Sequence, residues 1–153
     1  MRQASDGQKR LLAGTAIFAC GILLITKFDH MVNSTLYGNG TKLTIGWYWP
    51  YSAVYFLLLQ GFAVVLYLYV RKMEALLVAE SFVLSGSADI VYFGAWNGGV
   101  FPPGQWSWTL FYQAFGRWTT ADQLALSASS MALAGAVVLL LRRKRMRRPK
   151  KRR

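Results

Sequence analysis

The chain is short and apolar, since 54% of its 153 residues are hydrophobic and 16% are charged, whereas ordinary globular domains carry about 25% charged residues. Its formal charge of +12 falls to +2 without the ten basic residues between positions 142 and 153, so the high isoelectric point is due to this basic tail. The single cysteine, Cys20, excludes an intramolecular disulfide and a paired-cysteine redox centre. We therefore predict one membrane domain, residues 1–141, and a basic cytoplasmic tail, residues 142–153.

Four apolar stretches have close to the ~20 residues that an α-helix needs to cross a bilayer. They lie at residues 11–28, 51–70, 73–96 and 121–141. Basic residues are concentrated on one side of them: before the first stretch, at Arg71 and Lys72, and in the tail, whereas the opposite loops hold only three, Lys27, Lys42 and Arg117. By the positive-inside rule, both ends of the sequence are cytoplasmic and both longer loops lie outside. The sequence thus predicts an all-α integral membrane protein, a four-transmembrane-helix bundle in a prokaryotic plasma membrane or an internal membrane.

The first stretch has two interpretations. Its basic start and the small residues Ala19, Cys20 and Gly21 are typical of a cleavable signal peptide. The apolar run, however, continues through Ile25, beyond that position, which favours a retained helix. Gly14 and Gly21 are seven residues apart, so they share a face on which another helix can approach closely.

The first outer loop, residues 29–45, is polar. It contains two glycosylation acceptor patterns, at Asn33 and Asn39, which are compatible with an outside location. The only histidine, His30, stands beside Asp29 at the predicted membrane edge. One histidine with so few acids nearby does not make a zinc site, so no metal is expected.

The second stretch is marked at its outer end by aromatic residues. The segment Trp47–Tyr51 contains two tryptophans and two tyrosines, whose rings favour the headgroup layer. Pro50 within it suits the first turn of a helix. Gln60 lies in the middle of the apolar stretch, where a lone side-chain amide needs a partner on another helix.

The third stretch holds the clearest functional signal, because Glu80 and Asp89 are ionisable groups within an apolar segment. Such groups cost roughly 2.5–3.5 kcal/mol in hydrocarbon and are functional candidates by default. Nine residues turn a straight helix through ~900°. The two acids therefore lie on opposite faces, unless the helix is broken near Gly86.

Asp89 shares a polar stripe with Ser81, Ser85 and Tyr92 if the helix is straight. Three roles remain open for it. It is a structural acceptor of hydrogen bonds from Ser85, Tyr92 or Gln60, a protonatable or ligand-binding carboxylate, or the partner of a cation on another protein. The candidate ligand or proton residues are Asp89, Glu80, Ser85, Tyr92 and Gln60.

The second outer loop, residues 97–119, is rich in aromatic residues and nearly free of charge; we call it the aromatic loop. A Pro-Pro-Gly turn at 102–104 interrupts it, and the segment that follows is too short to span a bilayer. We predict a short helix lying flat at the outer interface, with Arg117 toward the headgroups. This helix is a membrane-surface brace, a lid over a cavity, or a docking surface for a partner. The predicted aromatic surface comprises Trp106, Trp108, Phe111, Tyr112 and Trp118.

The fourth stretch begins with a capping-box pattern, in which the side chains of Thr120 and Gln123 satisfy each other's backbone amides. Small residues then recur every four positions, at Ala128, Ala132 and Ala136. Such a stripe predicts close packing within the bundle, and it is also common in oligomers.

The tail begins with four consecutive bases and suits the anionic headgroups of the inner leaflet, at about 1 kcal/mol per basic residue near the surface. The predicted headgroup ligands are Arg142, Arg143, Lys144 and Arg145. No aromatic residues and no nucleic-acid-binding fold accompany this charge, which argues against nucleic acid as a partner.

Other chemistry is missing from the sequence. It contains no phosphate-cradling glycine loop and no nucleophile–histidine pairing, so neither a cofactor nor a catalytic residue is predicted. This favours a non-catalytic accessory protein or complex subunit that binds a lipid or protein partner, or a second copy, through the aromatic loop and the small-residue helix faces. The alternative is a small proton-linked transporter or a lipid-pocket membrane enzyme that uses Asp89 and Glu80.

Overall fold

A computed structural model describes residues 2–38, 45–106 and 109–146 of the chain. The secondary-structure elements of these segments are helical, with one isolated antiparallel bridge between Gln105 and Thr119. The helices are α1 (Arg2–Gly38), α2 (Ile45–Val70), α3 (Met73–Leu84), α4 (Ser87–Val91, continued by a π-helical turn at Tyr92–Trp96), α5 (Leu110–Phe115) and α6 (Thr120–Met146). The predicted all-α class is confirmed for this part of the chain.

Three of these helices, α1, α2 and α6, are long and apolar enough to cross a membrane. A fourth span exists if α3 and α4 with its π-helical turn form one bent span. These lengths and compositions are those of a multi-pass membrane protein.

Helix α1 is longer than the sequence predicts, because it continues from Phe28 to Gly38. Most of the predicted first outer loop is therefore helical. Its polar residues occupy one helical face and find partners there: Asn33 Nδ2 donates to the carbonyl oxygen of Asp29 at 3.0 Å and to its Oδ1 at 2.9 Å. Asn33 thus lies in a helix and not in a loop. Asn39 lies outside the described residues.

Helix α2 begins at Ile45, six residues before the predicted start at Tyr51. Pro50 is consequently the sixth residue of the helix and not part of its first turn. Proline lacks an amide hydrogen, so one helical hydrogen bond in the second turn of α2 is missing.

The third stretch is not one straight helix. Helix α3 ends at Leu84, α4 begins at Ser87, and the two segments are bent by 70° relative to each other. The residue at the break is Gly86, whose φ of +69° is left-handed and favours glycine. Its amide closes α3 by donating to the Val83 carbonyl at 3.1 Å, and its carbonyl opens α4 by accepting from the Asp89 amide at 3.0 Å.

Apolar residues of α1, α2, α3 and α4 form the core of the bundle. One cluster contains Ile22, Ile25, Leu59, Val83 and Ala88, and a second contains Ala63, Leu66, Val70, Ala75 and Ala79. Helices α1 and α2 approach closely at glycines. A Cβ atom at Gly21 would overlap the Phe62 ring, and one at Gly14 would lie 2.6 Å from Val70 Cγ2. The predicted packing face of α1 is therefore confirmed.

Helix α6 packs on α3 and α4 through a different face from the predicted one. Gln123, Ser127 and Ala134 are its buried residues, whereas Ala128, Ala132 and Ala136 are exposed on the opposite side. The prediction that this alanine stripe packs within the bundle is wrong for the single chain. The polar residues of α6 face inward because the break in the third stretch needs hydrogen-bond partners.

Candidate functional site

Polar side chains from three helices meet at the end of the bundle opposite the α2–α3 link. Helix α1 contributes Asp29 and Asn33, α2 contributes Tyr51 and Tyr55, and α4 with its π-helical turn contributes Asp89 and Tyr92. We call these six residues the polar cluster. The carboxyl groups of Asp29 and Asp89 interact electrostatically with each other, and both interact with the tyrosines Tyr55 and Tyr92.

Asp29 is well provided with donors. Tyr51 Oη donates to its Oδ1 at 2.5 Å, and Asn33 Nδ2 donates to the same oxygen at 2.9 Å. His30, next in the chain, lies with its ring centroid 5.5 Å from that of Tyr92. His30 is thus partly buried against the cluster.

Asp89 lacks such donors. It is partly buried, and its carboxyl group accepts no hydrogen bond from any residue in the described part of the chain. The Tyr55 hydroxyl is buried and likewise has no hydrogen-bond partner there. Among the described residues, the cluster therefore holds a partly buried carboxyl group without a hydrogen-bond donor and a buried hydroxyl group without a partner, and the latter is unusual for a buried polar atom.

The other predicted members of the site lie elsewhere. Ser85 is in the break, where its hydroxyl donates to the Phe82 carbonyl and is 2.8 Å from the Ser87 hydroxyl. Glu80 and Gln60 are partly buried and form no hydrogen bond with the described residues. Asp89 interacts with Asp29 and not with Glu80. Neither Ser85, Tyr92 nor Gln60 donates to Asp89, so these three residues do not make it a satisfied structural acceptor.

The break in the third stretch is held by α6. The carbonyl oxygen of Ser85 accepts from Gln123 Nε2 at 2.7 Å and from Ser127 Oγ at 3.4 Å. The same Gln123 amide accepts from Trp118 Nε1 through its Oε1 at 2.8 Å. Gln123 is fully buried, and its side chain connects the aromatic loop to the broken helix.

The start of α6 differs from the predicted capping box by one residue. Thr119 is the capping residue: its hydroxyl accepts from the Asp122 amide at 3.3 Å, and Asp122 Oδ2 accepts from the Thr119 amide at 2.9 Å. Thr120 and Gln123 are thereby released for tertiary contacts. Thr120 Oγ1 accepts from Trp106 Nε1 and donates to the Pro102 carbonyl, both at 3.0 Å.

The aromatic loop folds back on itself. The Trp106 amide donates to the Trp118 carbonyl at 2.7 Å, beside the Gln105–Thr119 bridge. Trp106 is fully buried, so it is not part of an exposed aromatic surface, whereas Tyr112 and Trp118 are partly buried. The predicted short helix is present as α5, capped by Thr109, whose side chain accepts from the Tyr112 amide. Trp108 and the side chain of Phe111 lie outside the described residues.

Edge-to-face and tilted ring contacts join the aromatic loop to the polar cluster. The Phe93 ring lies 4.9 Å from Tyr92 and 5.3 Å from Trp106. One turn further on, Trp96 Nε1 donates to Thr26 Oγ1 of α1 at 3.0 Å. The loop, the π-helical turn and α1 are therefore connected to the polar cluster through Tyr92.

The basic tail is described only in part. Arg142, Arg143 and Lys144 are exposed on the last turns of α6. The side chain of Arg145 and the residues from 147 onward lie outside the described part of the chain. Within that part, no group of three or more histidine, cysteine, aspartate and glutamate residues is arranged to hold a metal ion.

Sequence reasoning missed several residues of this region, namely Asp29, Tyr51, Tyr55, Gln123 and Ser127. A helical spacing that joins the apolar Ile22 to Asp29 and Asn33 was the available signal for α1, since residues seven and eleven positions apart share a face. No local pattern indicates that Gln123 reaches Ser85, which is 38 residues away in sequence.

Comparison with known proteins gave no match: no protein-family model matches the chain, and neither the curated proteins nor the solved structures include one that is significantly similar to it. Function must therefore be inferred from the chemistry of the polar cluster and of the broken helix.

Proposed function

We propose that this chain is a small proton-linked membrane transporter whose polar cluster takes up a proton on Asp89. In this proposal α3 and α4 form one bent span, which gives four spans in total. The positive-inside rule then places Arg71, Lys72 and both ends of the sequence in the cytoplasm. The polar cluster lies toward the outer side, in a prokaryotic plasma membrane or an internal membrane.

The observation that carries this proposal is the carboxyl group of Asp89, which accepts no hydrogen bond from the described residues and interacts electrostatically with Asp29. Two carboxylates in a poorly solvated site repel each other, which favours a proton on one of them. A proton on Asp89 removes that repulsion and gives the carboxyl group a donor of its own. Tyr51 and Asn33 stabilise Asp29 in its charged form through two hydrogen bonds, which makes Asp89 the better proton carrier of the pair.

The broken span supports a transport role over a purely structural one. Discontinuous helices with ionisable groups nearby form the substrate and coupling-ion sites of many transporters. Here Asp89 lies in the first turn of α4, directly after the break. Protonation of Asp89 changes the repulsion between α4 and α1, and Gly86 is the point at which α4 can change its angle to α3.

Asp89→Asn is expected to abolish proton binding at this site. The purified protein in lipid vesicles is titrated from alkaline to acidic buffer, and the carbonyl band of protonated carboxylic acid is followed by infrared difference spectroscopy. The wild-type band grows on acidification and is lost in Asp89→Asn, because the asparagine amide takes up no proton. Glu80→Gln is the matched control, since Glu80 lies across the break from the cluster, and it retains the band.

Three results contradict the proposal. A band of wild-type size in Asp89→Asn excludes Asp89 as the proton carrier. Normal pH-driven uptake of proton by vesicles that contain Asp89→Asn excludes a proton-linked role for the cluster. If an added inorganic or organic cation removes the band, and acidification alone does not change it, the acid pair binds that cation instead of a proton.

A second candidate function, an accessory protein or complex subunit, is favoured by the exposed alanine stripe of α6. Ala128, Ala132 and Ala136 face away from the chain's own bundle, and small residues of this spacing let a second helix pack closely. Ala132→Leu is then expected to reduce the assembled fraction, measured as the mass of the detergent-solubilised protein by light scattering. Leu133→Phe, an enlargement beside the stripe, is the control. A monomeric wild-type protein recovered without partners counts against this function.

A further inference from the structure

We propose that Gln123 is a positioning residue that couples the aromatic loop to the break in the third stretch. Through its side-chain amide, the position of Trp118 sets the bend between α3 and α4 and thereby the location of Asp89. The coupling is a property of the fold; only its consequence for proton binding rests on the function proposed above.

The bent state needs a hydrogen-bond donor from outside the third stretch. In a straight helix the Ser85 carbonyl would accept from the Asp89 amide, but that amide donates to the Gly86 carbonyl instead. Gln123 Nε2 and Ser127 Oγ take its place at 2.7 and 3.4 Å. Because Ser85 is buried, losing these donors would leave its carbonyl without a partner, which costs more than the bond itself contributes.

Both polar atoms of the Gln123 side-chain amide form hydrogen bonds. Its Nε2 holds the Ser85 carbonyl, and its Oε1 accepts from Trp118 Nε1 at 2.8 Å. A planar amide cannot rotate without weakening both bonds. Trp118 is itself fixed by the backbone bond from Trp106 to its carbonyl. A displacement of the aromatic loop is therefore transmitted to the break.

The straight state is a realistic alternative. Glycine adopts right-handed helical and left-handed backbone angles with little difference in energy, so Gly86 can return to a helical conformation. The Ser85 carbonyl would then be satisfied by the Asp89 amide, within the helix. Two arrangements that each satisfy the backbone, one with donors from α6 and one without them, are the components of a two-state element.

The bend can be measured directly with paired spin labels. Met73 and Ala95 are exposed at opposite ends of the broken span, and replacing Cys20 by alanine makes labels at Met73→Cys and Ala95→Cys unique. Their Cα atoms would be about 33 Å apart in a straight helix and about 26 Å apart at the 70° bend. Distances are recorded by double electron–electron resonance in lipid vesicles.

Trp118→Phe removes the indole donor to Gln123 and is expected to raise the ratio of straight to bent protein about fivefold, which is the effect of one net hydrogen bond. Tyr112→Phe is the matched control in the same loop, and it leaves the distances unchanged. Gln123→Asn, whose shorter side chain cannot reach both partners, is a second variant with the same expectation if Trp118→Phe does not fold.

The outcomes separate the two proposals. Identical distance distributions for wild type, Trp118→Phe and Gln123→Asn overturn the coupling, even if the infrared band of Asp89 is present. A shift toward the longer distance in these variants establishes the coupling, even if Asp89→Asn leaves proton uptake intact and the proposed function fails. If the coupling and the proposed function are both correct, the infrared band of Trp118→Phe is shifted relative to that of wild type, and the band of Tyr112→Phe is not.

Discussion

Gly86→Ala is expected to destabilise the bent protein by about 3 kcal/mol, and to lower the free energy of unfolding by the part of this cost that a change to the straight span does not recover. A left-handed backbone conformation costs a residue with a Cβ atom roughly 1–2 kcal/mol, and φ at Gly86 is +69°. The added Cβ would also lie 2.6 Å from Gln123 Nε2. That amide would have to leave the Ser85 carbonyl, and an unsatisfied buried carbonyl costs about 1–3 kcal/mol.

The measurement is reversible unfolding in mixed micelles, followed by circular dichroism. Gly61→Ala is the control, because Gly61 lies in α2 with no atom within 4 Å of an added Cβ. The helix propensity of alanine leaves this variant as stable as wild type, or more stable by up to about 1 kcal/mol. Equal stabilities of Gly86→Ala and Gly61→Ala would show that the break does not depend on a left-handed glycine.

Gln123→Met is expected to lower the free energy of unfolding by roughly 2–4 kcal/mol. Methionine fills a similar volume but can neither donate to the Ser85 carbonyl nor accept from the Trp118 indole. Both partners lose a short hydrogen bond, at 2.7 and 2.8 Å, and each such loss at a buried site costs about 1–3 kcal/mol. Ser127, at 3.4 Å from the same carbonyl, compensates only weakly.

Gln113→Met is the matched substitution at an exposed position of α5. It is expected to change the stability by no more than about 0.5 kcal/mol, because exposed sites away from tertiary contacts tolerate replacement. Both variants are unfolded in the same micelles as wild type. If Gln123→Met is as stable as Gln113→Met, the contact between α6 and the break contributes little.

The apolar stretches could be placed from the sequence because hydrophobic length is a property of the residues themselves. Their ends could not. Asp29 and Asn33 look like loop residues when judged by polarity, but as helical neighbours they satisfy each other, so α1 continues to Gly38. Pro50 likewise does not set the start of α2. Local composition predicted the apolar segments of α1, α2 and α6, whereas hydrogen bonds between side chains determine where helices such as α1 end.

The candidate site was predicted in part. Asp89 and Tyr92 were identified because an ionisable residue stands out in an apolar stretch. Their actual neighbours, Asp29 and Tyr55, come from other helices, and only packing brings them together. The capping box failed for the same reason: Thr119 and Thr120 are both suitable capping residues, and the choice between them depends on Trp106 and Pro102, which engage Thr120.

The distance in sequence between Ser85 and Gln123 has a consequence for the order of assembly. A chain made from its N-terminal end has α1, α2 and both halves of the third stretch in place before α6 emerges. Until then no described donor outside that stretch serves the Ser85 carbonyl, and the continuous helix is the form that satisfies its own backbone. We expect the nascent third stretch to be straight and to bend only when α6 docks, so that Asp89 joins Asp29 after α6 is in place.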